Sequence, residues 1–212
     1  MPVASRKSVS TEHFDKVYRS KADPWGTLRK AYEREKFADT VSLLPARRFG
    51  AALEIGCGVG ALTRLLAPRC DAVLATDCSA AAIEQAEATC VDLPNVTFAT
   101  LRVPEELRAG DKRVGSVDLV VMSEVGYYLS AADLETTADL VVGLLNSGGH
   151  LLLAHWVHDG PEETDSGQEG DIMTGHAVHQ VFRRRADLRQ IDGRDARRHG
   201  NAYRLDLLRL ET

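Results

Sequence analysis

An apolar segment that ends in alternating glycines, Leu53-Glu54-Ile55-Gly56-Cys57-Gly58-Val59-Gly60, runs straight into a helical pattern. Glycines at alternate positions allow positive φ and a close backbone approach that a side chain would block. The helix that follows offers free N–H groups and the positive end of its dipole, which suits a small ligand bearing carboxylate or phosphate. The next strand closes in Ala75-Thr76-Asp77. An acid about 20 residues past such a loop can accept hydrogen bonds from both hydroxyls of a ribose. Loop and acid together point to an adenosine-type nucleoside lying across the carboxyl ends of the strands. A tight turn with no ligand is the alternative.

The rest of the chain alternates in the same way. Strand candidates are Ala51–Ile55, Ala72–Thr76, Val96–Ala99, Val117–Met122 and His150–Trp156. Helical patterns lie between them at Ala61–Leu66, Ala80–Thr89 and Ala131–Leu145. Such alternation implies right-handed crossovers and a mainly parallel sheet with helices on both faces, an open, doubly wound α/β fold. Tyr203, Leu205 and Leu207 alternate in period two, as an antiparallel edge strand would. Ahead of the sheet, a short amphipathic helix is expected at Thr11–Ser20. It is broken by Asp23-Pro24-Trp25-Gly26, and a second helix follows from Leu28 to Leu44, stopped by Pro45. There is no internal repeat.

A length of 212 residues favours one domain with a core large enough to need no disulfide staples. The 26 basic and 31 acidic residues, net charge −5, argue against nucleic-acid coating and against a polybasic membrane-surface protein. No apolar run approaches the roughly 20 residues needed to span a bilayer. Met1–Ser10 has no apolar signal core, so a cytoplasmic location is expected. Cys57, Cys70, Cys78 and Cys90 form no CxxC pair and read as reduced thiols. Nine basic and five acidic residues between Arg183 and Thr212 could touch phosphate, or form a solvated face of mixed charge.

Gly56-x-Gly58-x-x-Ala61 also fits the relaxed dinucleotide fingerprint, so NAD(P) competes as the ligand. Three features weigh against it. Glu54 stands where a second acid can meet the amino group of a methionine moiety. The chain has no Tyr-x-x-x-Lys pair for hydride chemistry and no room for a separate catalytic domain. The fourth strand ends in Ser123-Glu124-Val125-Gly126-Tyr127-Tyr128-Leu129, a polar and aromatic lip.

Glu54-x-Gly56-x-Gly58-x-Gly60, Asp77 and the stretch from Asp118 to Tyr128 resemble the class I S-adenosylmethionine-dependent methyltransferases. Phe14-to-Trp25, with Asp23-Pro24-Trp25, and Tyr32-Glu33-Arg34-Glu35-Lys36 are similar to the NodS-like branch, small N-methyltransferases acting on amino sugars of lipo-chitooligosaccharides. The resemblance covers about residues 12–156. It implies a Rossmann-like, seven-stranded sheet with one antiparallel strand near the C-terminus, a helical lid over residues 1–45 and a methyltransferase domain over 46–212. It implies S-adenosylmethionine as cofactor, held by Glu54, Gly56, Cys57, Gly58, Leu62, Asp77 and Cys78. Arg102, Val103 and Pro104 would lie near the adenine. Ser123 and Glu124 would close the site from the fourth strand, and Trp25 and Tyr32 from the lid. A second likeness, to methyltransferases associated with sugar deacetylation, rests on His155-Trp156-x-His158 and Thr174-to-His179.

Methyl transfer is an in-line displacement, and holding the reactants in attack geometry can remove roughly 7–11 kcal/mol of barrier. A nearby sulfonium lowers an ammonium pKa by like charge and desolvation, so a weak base suffices. His155, at the end of strand five, is the first candidate for that base, with Glu124 and Tyr128 beside it. For each, capping the following helix is an equal alternative. Tyr127, Tyr128, Trp156, His158 and His179 are the candidate acceptor contacts. Five of the seven histidines fall in a 30-residue window, with His-x-x-His at His155/His158 and His176/His179, but no cysteine or acid completes a metal set.

Phe14, Tyr18, Trp25, Tyr32 and Phe37 either pack simply or fold over the cofactor as a lid. Asp159-to-Asp171, with six acids and no base, reads as a solvated loop or as a negative rim that steers a cationic acceptor. No motif for gripping a flipped base is present. An amine-bearing small molecule is therefore the expected acceptor, with an O-methyltransferase, an NAD(P)-dependent reductase and a catalytically silent nucleoside-binding subunit as rivals.

Overall fold

The computed structural model describes residues 7–108, 114–157 and 173–211. Seven strands form one sheet: β1 (Phe49–Ile55), β2 (Cys70–Asp77), β3 (Val96–Thr100), β4 (Val117–Ser123), β5 (Leu145–Val157), β6 (Leu188–Arg198) and β7 (Asn201–Leu210). Their order is β3-β2-β1-β4-β5-β7-β6. The first five run parallel, while β7 is antiparallel to both β5 and β6. The helices are α1 (Thr11–Ser20), α2 (Ala31–Ser42), α3 (Thr63–Leu66), α4 (Ala80–Thr89), α5 (Ala131–Leu144) and α6 (Gly175–Arg183).

Continuous apolar runs make the central strands. Leu119, Val120, Val121 and Met122 are all buried, as a parallel strand covered on both faces requires. Their side chains alternate between two cores. Leu53, Val120, Met122, Leu151 and Leu153 pack with α5 and α6, whereas Ala52, Leu119, Val121, Leu152 and Leu205 pack with α2, α3 and α4. Each fully buried Leu or Val contributes about 1.5–3 kcal/mol.

Serine caps start the helices. Ser10, Ser79 and Ser130 accept hydrogen bonds from the backbone amides of His13, Ala82 and Asp133. Each cap is worth about 1 kcal/mol.

Four expectations are corrected. The second helix is shorter, Ala31–Ser42. The helix after the glycine loop is a single α turn, Thr63–Leu66, continued by a 3₁₀ turn at Ala67–Arg69, so its dipole is weaker than a long helix would give. The C-terminal strand β7 lies inside the sheet, and β6 is the edge. The seven strands and the one antiparallel strand are as the resemblance implied, but the residue pattern located neither β6 nor α6. β6 hides because six charged residues (Arg189, Asp192, Arg194, Asp195, Arg197, Arg198) erase any apolar alternation, while such charges guard an exposed edge. Its hairpin did leave a signal. His199-Gly200 is a two-residue loop with φ of 48° and 83°, the primed turn that matches strand twist.

No described helix is long and apolar enough to cross a membrane.

Candidate active site

From β1 the chain moves outward to β2 and β3, and from β4 it moves the opposite way to β5. The crevice above the ends of β1 and β4 is where open α/β sheets bind ligands. A cavity of about 850 Å³ lies there.

The glycine loop forms its floor through Gly56, Cys57 and Gly58, with Leu62 beside them. Gly56 (φ 77°) and Gly58 (φ 54°) occupy the left-handed region, and a Cβ on Gly56 would sit 2.8 Å from Val125 Cγ2. Thr76 carbonyl accepts from the amides of both Gly56 and Cys57 at 2.8 Å, which pins the loop to β2.

Asp77 and Cys78 line the cavity at the end of β2. Asp77 Oδ2 accepts from the Gly58 amide at 3.0 Å, and Oδ1 from the Ser79 amide at 2.9 Å. Burial raises its pKa against the pull of those amides. Glu54, fully enclosed, accepts from Thr63 Oγ1 at 2.6 Å, and burial pushes its carboxyl up to about 7.

Arg102 and Val103 also line the cavity, but Pro104 does not. Arg102 instead reaches across to α1, where Nη1 donates to Thr11 Oγ1 at 3.1 Å. A second tie, Ser79 Oγ to Asp15 Oδ1 at 2.5 Å, fastens α1 to the start of α4.

The roof comes from the N-terminal segment. Phe14, Tyr18, Trp25, Tyr32 and Phe37 all line the cavity, and Tyr18 meets Trp25 edge-on at 5.3 Å. Among the described residues, the buried hydroxyls of Tyr32 and Ser123 have no hydrogen-bond partner. Both belong to cavity-lining residues, so two polar groups stand ready for a ligand.

The far end is charged. Glu124 leaves β4 with φ of 58°, a sparsely populated conformation for a non-glycine residue and one that marks functional sites. Its Oε1 lies 2.9 Å from Lys36 Nζ, and its Oε2 accepts a short hydrogen bond from Tyr127. Lys36 Nζ also lies 2.8 Å from Glu33 Oε2. Burial opposes the charge on Lys36, yet Glu124 and Glu33 raise its pKa overall.

Lys36 and Glu33 went unassigned in the sequence reading. The signal was there: Glu33, Lys36, Phe37 and Thr40 are the buried residues of α2, spaced i, i+3, i+4, i+7, so two charges occupy a core stripe.

Tyr128 packs edge-on against Phe14 at 5.0 Å and closes the same wall, with Trp156 across from it. Its hydroxyl is pushed up to about 12, by burial and by Glu124. That leaves Tyr128 a poor base at neutral pH.

His155 and His179 do not line the cavity, which corrects both assignments. His155 is wholly buried, and each of its ring nitrogens already has a protein partner. His158 and the acidic stretch 159–171 lie outside the described residues. Among those described, no group of three or more His, Cys, Asp or Glu is placed to hold a metal ion.

Comparison with known proteins agrees with this geometry. The Methyltransferase domain family matches residues 53–151. A candidate methyltransferase from Pseudomonas syringae is 31% identical, with 85% of this chain and 99% of that one aligned at a TM-score of 0.63. N-methyltransferase NodS from Bradyrhizobium japonicum WM9, in complex with S-adenosyl-L-homocysteine, shares the fold at a TM-score of 0.79 and 24% identity, over 94% of this chain and 99% of that one. Nodulation protein S of Bradyrhizobium diazoefficiens is 31% identical over 50% of this chain. Phosphoethanolamine N-methyltransferase 1 of Arabidopsis thaliana is 30% identical over 56% of it. Those matches span 49% of the rhizobial protein's length and 24% of the plant one's. With a nucleoside crevice at the switch point and full-length likeness to a methyltransferase chain, this chain belongs to the class I S-adenosylmethionine-dependent methyltransferases.

Proposed function

We propose that the chain transfers a methyl group from S-adenosylmethionine to the nitrogen of a small amine, an amino sugar first among them. The observation that carries this reading is the charged end of the cavity. Two carboxylates, Glu33 and Glu124, face one ammonium, Lys36, so the cluster holds one net negative charge beside the place where an acceptor must enter.

The residues present fit the cofactor. Asp77 has lone pairs left after its two backbone amides, which suits ribose hydroxyls. Glu54, at the carboxyl end of β1, would meet the amino group at the amino-acid end, and the unpartnered Ser123 hydroxyl would offer a further contact. When bound, the cofactor supplies an electrophilic sulfonium methyl. Glu124 orients the incoming amine, and Tyr127 and Lys36 hold Glu124 in place. The aromatic roof of α1 and α2 excludes water, so residues 1–45 act as a lid. Trp156, 36% exposed at the mouth, offers a flat face for a sugar ring. Four unpaired cysteines suit a cytoplasmic enzyme.

The decisive experiment supplies methyl-labelled S-adenosylmethionine with a panel of glucosamine oligomers, aminoglycosides and phosphoethanolamine, and reads mass. Label on an amine nitrogen is the expected result. Label on oxygen would replace the reading with an O-methyltransferase, and binding of NADH in place of S-adenosylhomocysteine would overturn it.

A further inference from the structure

A buried chain of side chains runs from β7 to the turn that carries the acceptor wall. The Gly126 amide donates to His155 Nε2 at 3.0 Å. His155 Nδ1 lies 3.1 Å from His179 Nε2, and His179 Nδ1 lies 2.7 Å from Asp206 Oδ2. Four structural segments contribute: the turn after β4, then β5, α6 and β7. All three side chains are at most 1% exposed.

One donor settles every proton in this chain. A backbone amide can only donate, so His155 Nε2 is bare. A neutral ring then carries its proton on Nδ1 and gives it to His179 Nε2. His179 in turn keeps its proton on Nδ1 and gives it to Asp206. Asp206 takes that bond as an ionised acceptor, with Gln190 Nε2 at 3.0 Å and Arg204 Nη2 at 2.7 Å on Oδ1. Burial lowers the pKa of both histidines, in keeping with neutral rings.

The turn at the end of this chain is keyed in by shape as well. A Cβ on Gly126 would stand 2.4 Å from Val178 Cγ1 and 3.1 Å from His155 Nε2. Tyr127, the next residue, packs edge-on against the His155 ring at 5.5 Å and donates its hydroxyl to Glu124. The turn thus links the buried histidines to the carboxylate facing the acceptor.

We propose that His155, His179 and Asp206 are positioning residues for methyl transfer, a one-way hydrogen-bond relay that locks the Gly126–Tyr128 turn and thereby aims Glu124. The assignment of Glu124 to the acceptor end rests on the function proposed above; the relay itself does not.

Asp206→Asn is the sharpest probe, because it keeps shape while replacing the carboxylate that accepts from His179 and pairs with Arg204 by a neutral group with one acceptor and one donor end. An Asn amide facing His179 would reverse both tautomers and set an Nε2–H against the Gly126 amide. An Asn oxygen facing His179 would leave its NH₂ against Arg204 and Gln190. Either way the relay frustrates. Nitrogen-15 spectra of the wild-type histidines at pH 7 are expected to show His155 and His179 neutral and protonated on Nδ1. An Nε2–H tautomer or an imidazolium at either position would overturn the relay.

In Asp206→Asn, amide hydrogen exchange at Gly126 and Tyr128 is expected to quicken at least tenfold, while the Gly56 and Cys57 amides keep their rates. Equal acceleration everywhere, or none at Gly126, would overturn it too, by reducing the trio to ordinary core. Calorimetry with S-adenosylhomocysteine on the wild type is the separate check. Failure to bind removes the methyltransferase reading and leaves the relay result standing.

Discussion

Lys36 Nζ sits 2.9 Å from Glu124 Oε1, a bond between α2 and the end of β4 across 88 residues of sequence. The lysine side chain is 2% exposed and its second carboxylate, Glu33, is 2.8 Å away. Removing one partner of a buried ion pair costs more than the pair contributes, because the remaining charge is left dry. Lys36→Met is expected to lower unfolding free energy by about 3 kcal/mol, at the low end of the range because Glu124 keeps some contact with water. Lys36→Met/Glu124→Gln should recover part of that loss. Urea denaturation of the two variants measures it, and equal losses would break the claimed coupling.

Asp77 ties the loop to the proposed ribose contact. Asp77→Ala removes an ionised acceptor, and hydrogen bonds to charged groups are worth about 1.5–3 kcal/mol each. S-adenosylhomocysteine affinity should therefore fall roughly a hundredfold, the equivalent of about 3 kcal/mol. Isothermal calorimetry reads this directly. An affinity within threefold of wild type would remove Asp77 from the site.

Glu54 makes stability depend on pH. Burial pushes its carboxyl up from the ordinary 4.5 to about 7, against the Thr63 hydrogen bond, and the Asp77 charge adds to the rise. A folded pKa above the unfolded one favours the protonated fold. That stability is complete below about pH 4.5 and is lost as pH climbs through 7. At about 1.4 kcal/mol per unit, the loss is about 3 kcal/mol. The unfolding free energy of the ligand-free wild type, relative to Glu54→Gln, should decline across this window. Parallel pH curves for the two proteins would show that Glu54 does not titrate there.

Trp25 tests the roof. It is 38% exposed and touches Tyr18 edge-on, so Trp25→Ala should change fold stability by under about 1 kcal/mol. Cofactor affinity should nevertheless drop about tenfold, because the roof no longer excludes water. Removing residues 1–35 should abolish binding. Unimpaired binding in both proteins would end the lid assignment.

The parts of this protein written in the sequence are those that rest on short-range chemistry. Ser10 and Ser79 start α1 and α4 where a serine cap before an amphipathic or alanine-rich run should. Gly56, Gly58 and Asp77 announce a nucleoside crevice because positive φ and a strand-end acid are local demands. Lys36 and Glu33 were half legible, as charges on a core stripe, but nothing within α2 names their partner Glu124. β6 carried no apolar period at all, since an exposed edge strand is held by backbone bonds to β7 and needs no buried face.

Tertiary structure decided the rest. Two histidines 24 residues apart, His155 expected as a base and His179 as an acceptor contact, meet only because α6 packs on β5, and there each satisfies the other. Burial keeps both rings neutral, while Glu124, on a left-handed backbone, lines the cavity. Sequence alone determined the loop, the acid and the alternation of strands and helices as far as β5, through glycine conformation and apolar patterning, whereas the order of the strands in the sheet came from packing. Which polar groups face the ligand and which face one another was set by packing, because a side chain's charge and protonation depend on what surrounds it in space.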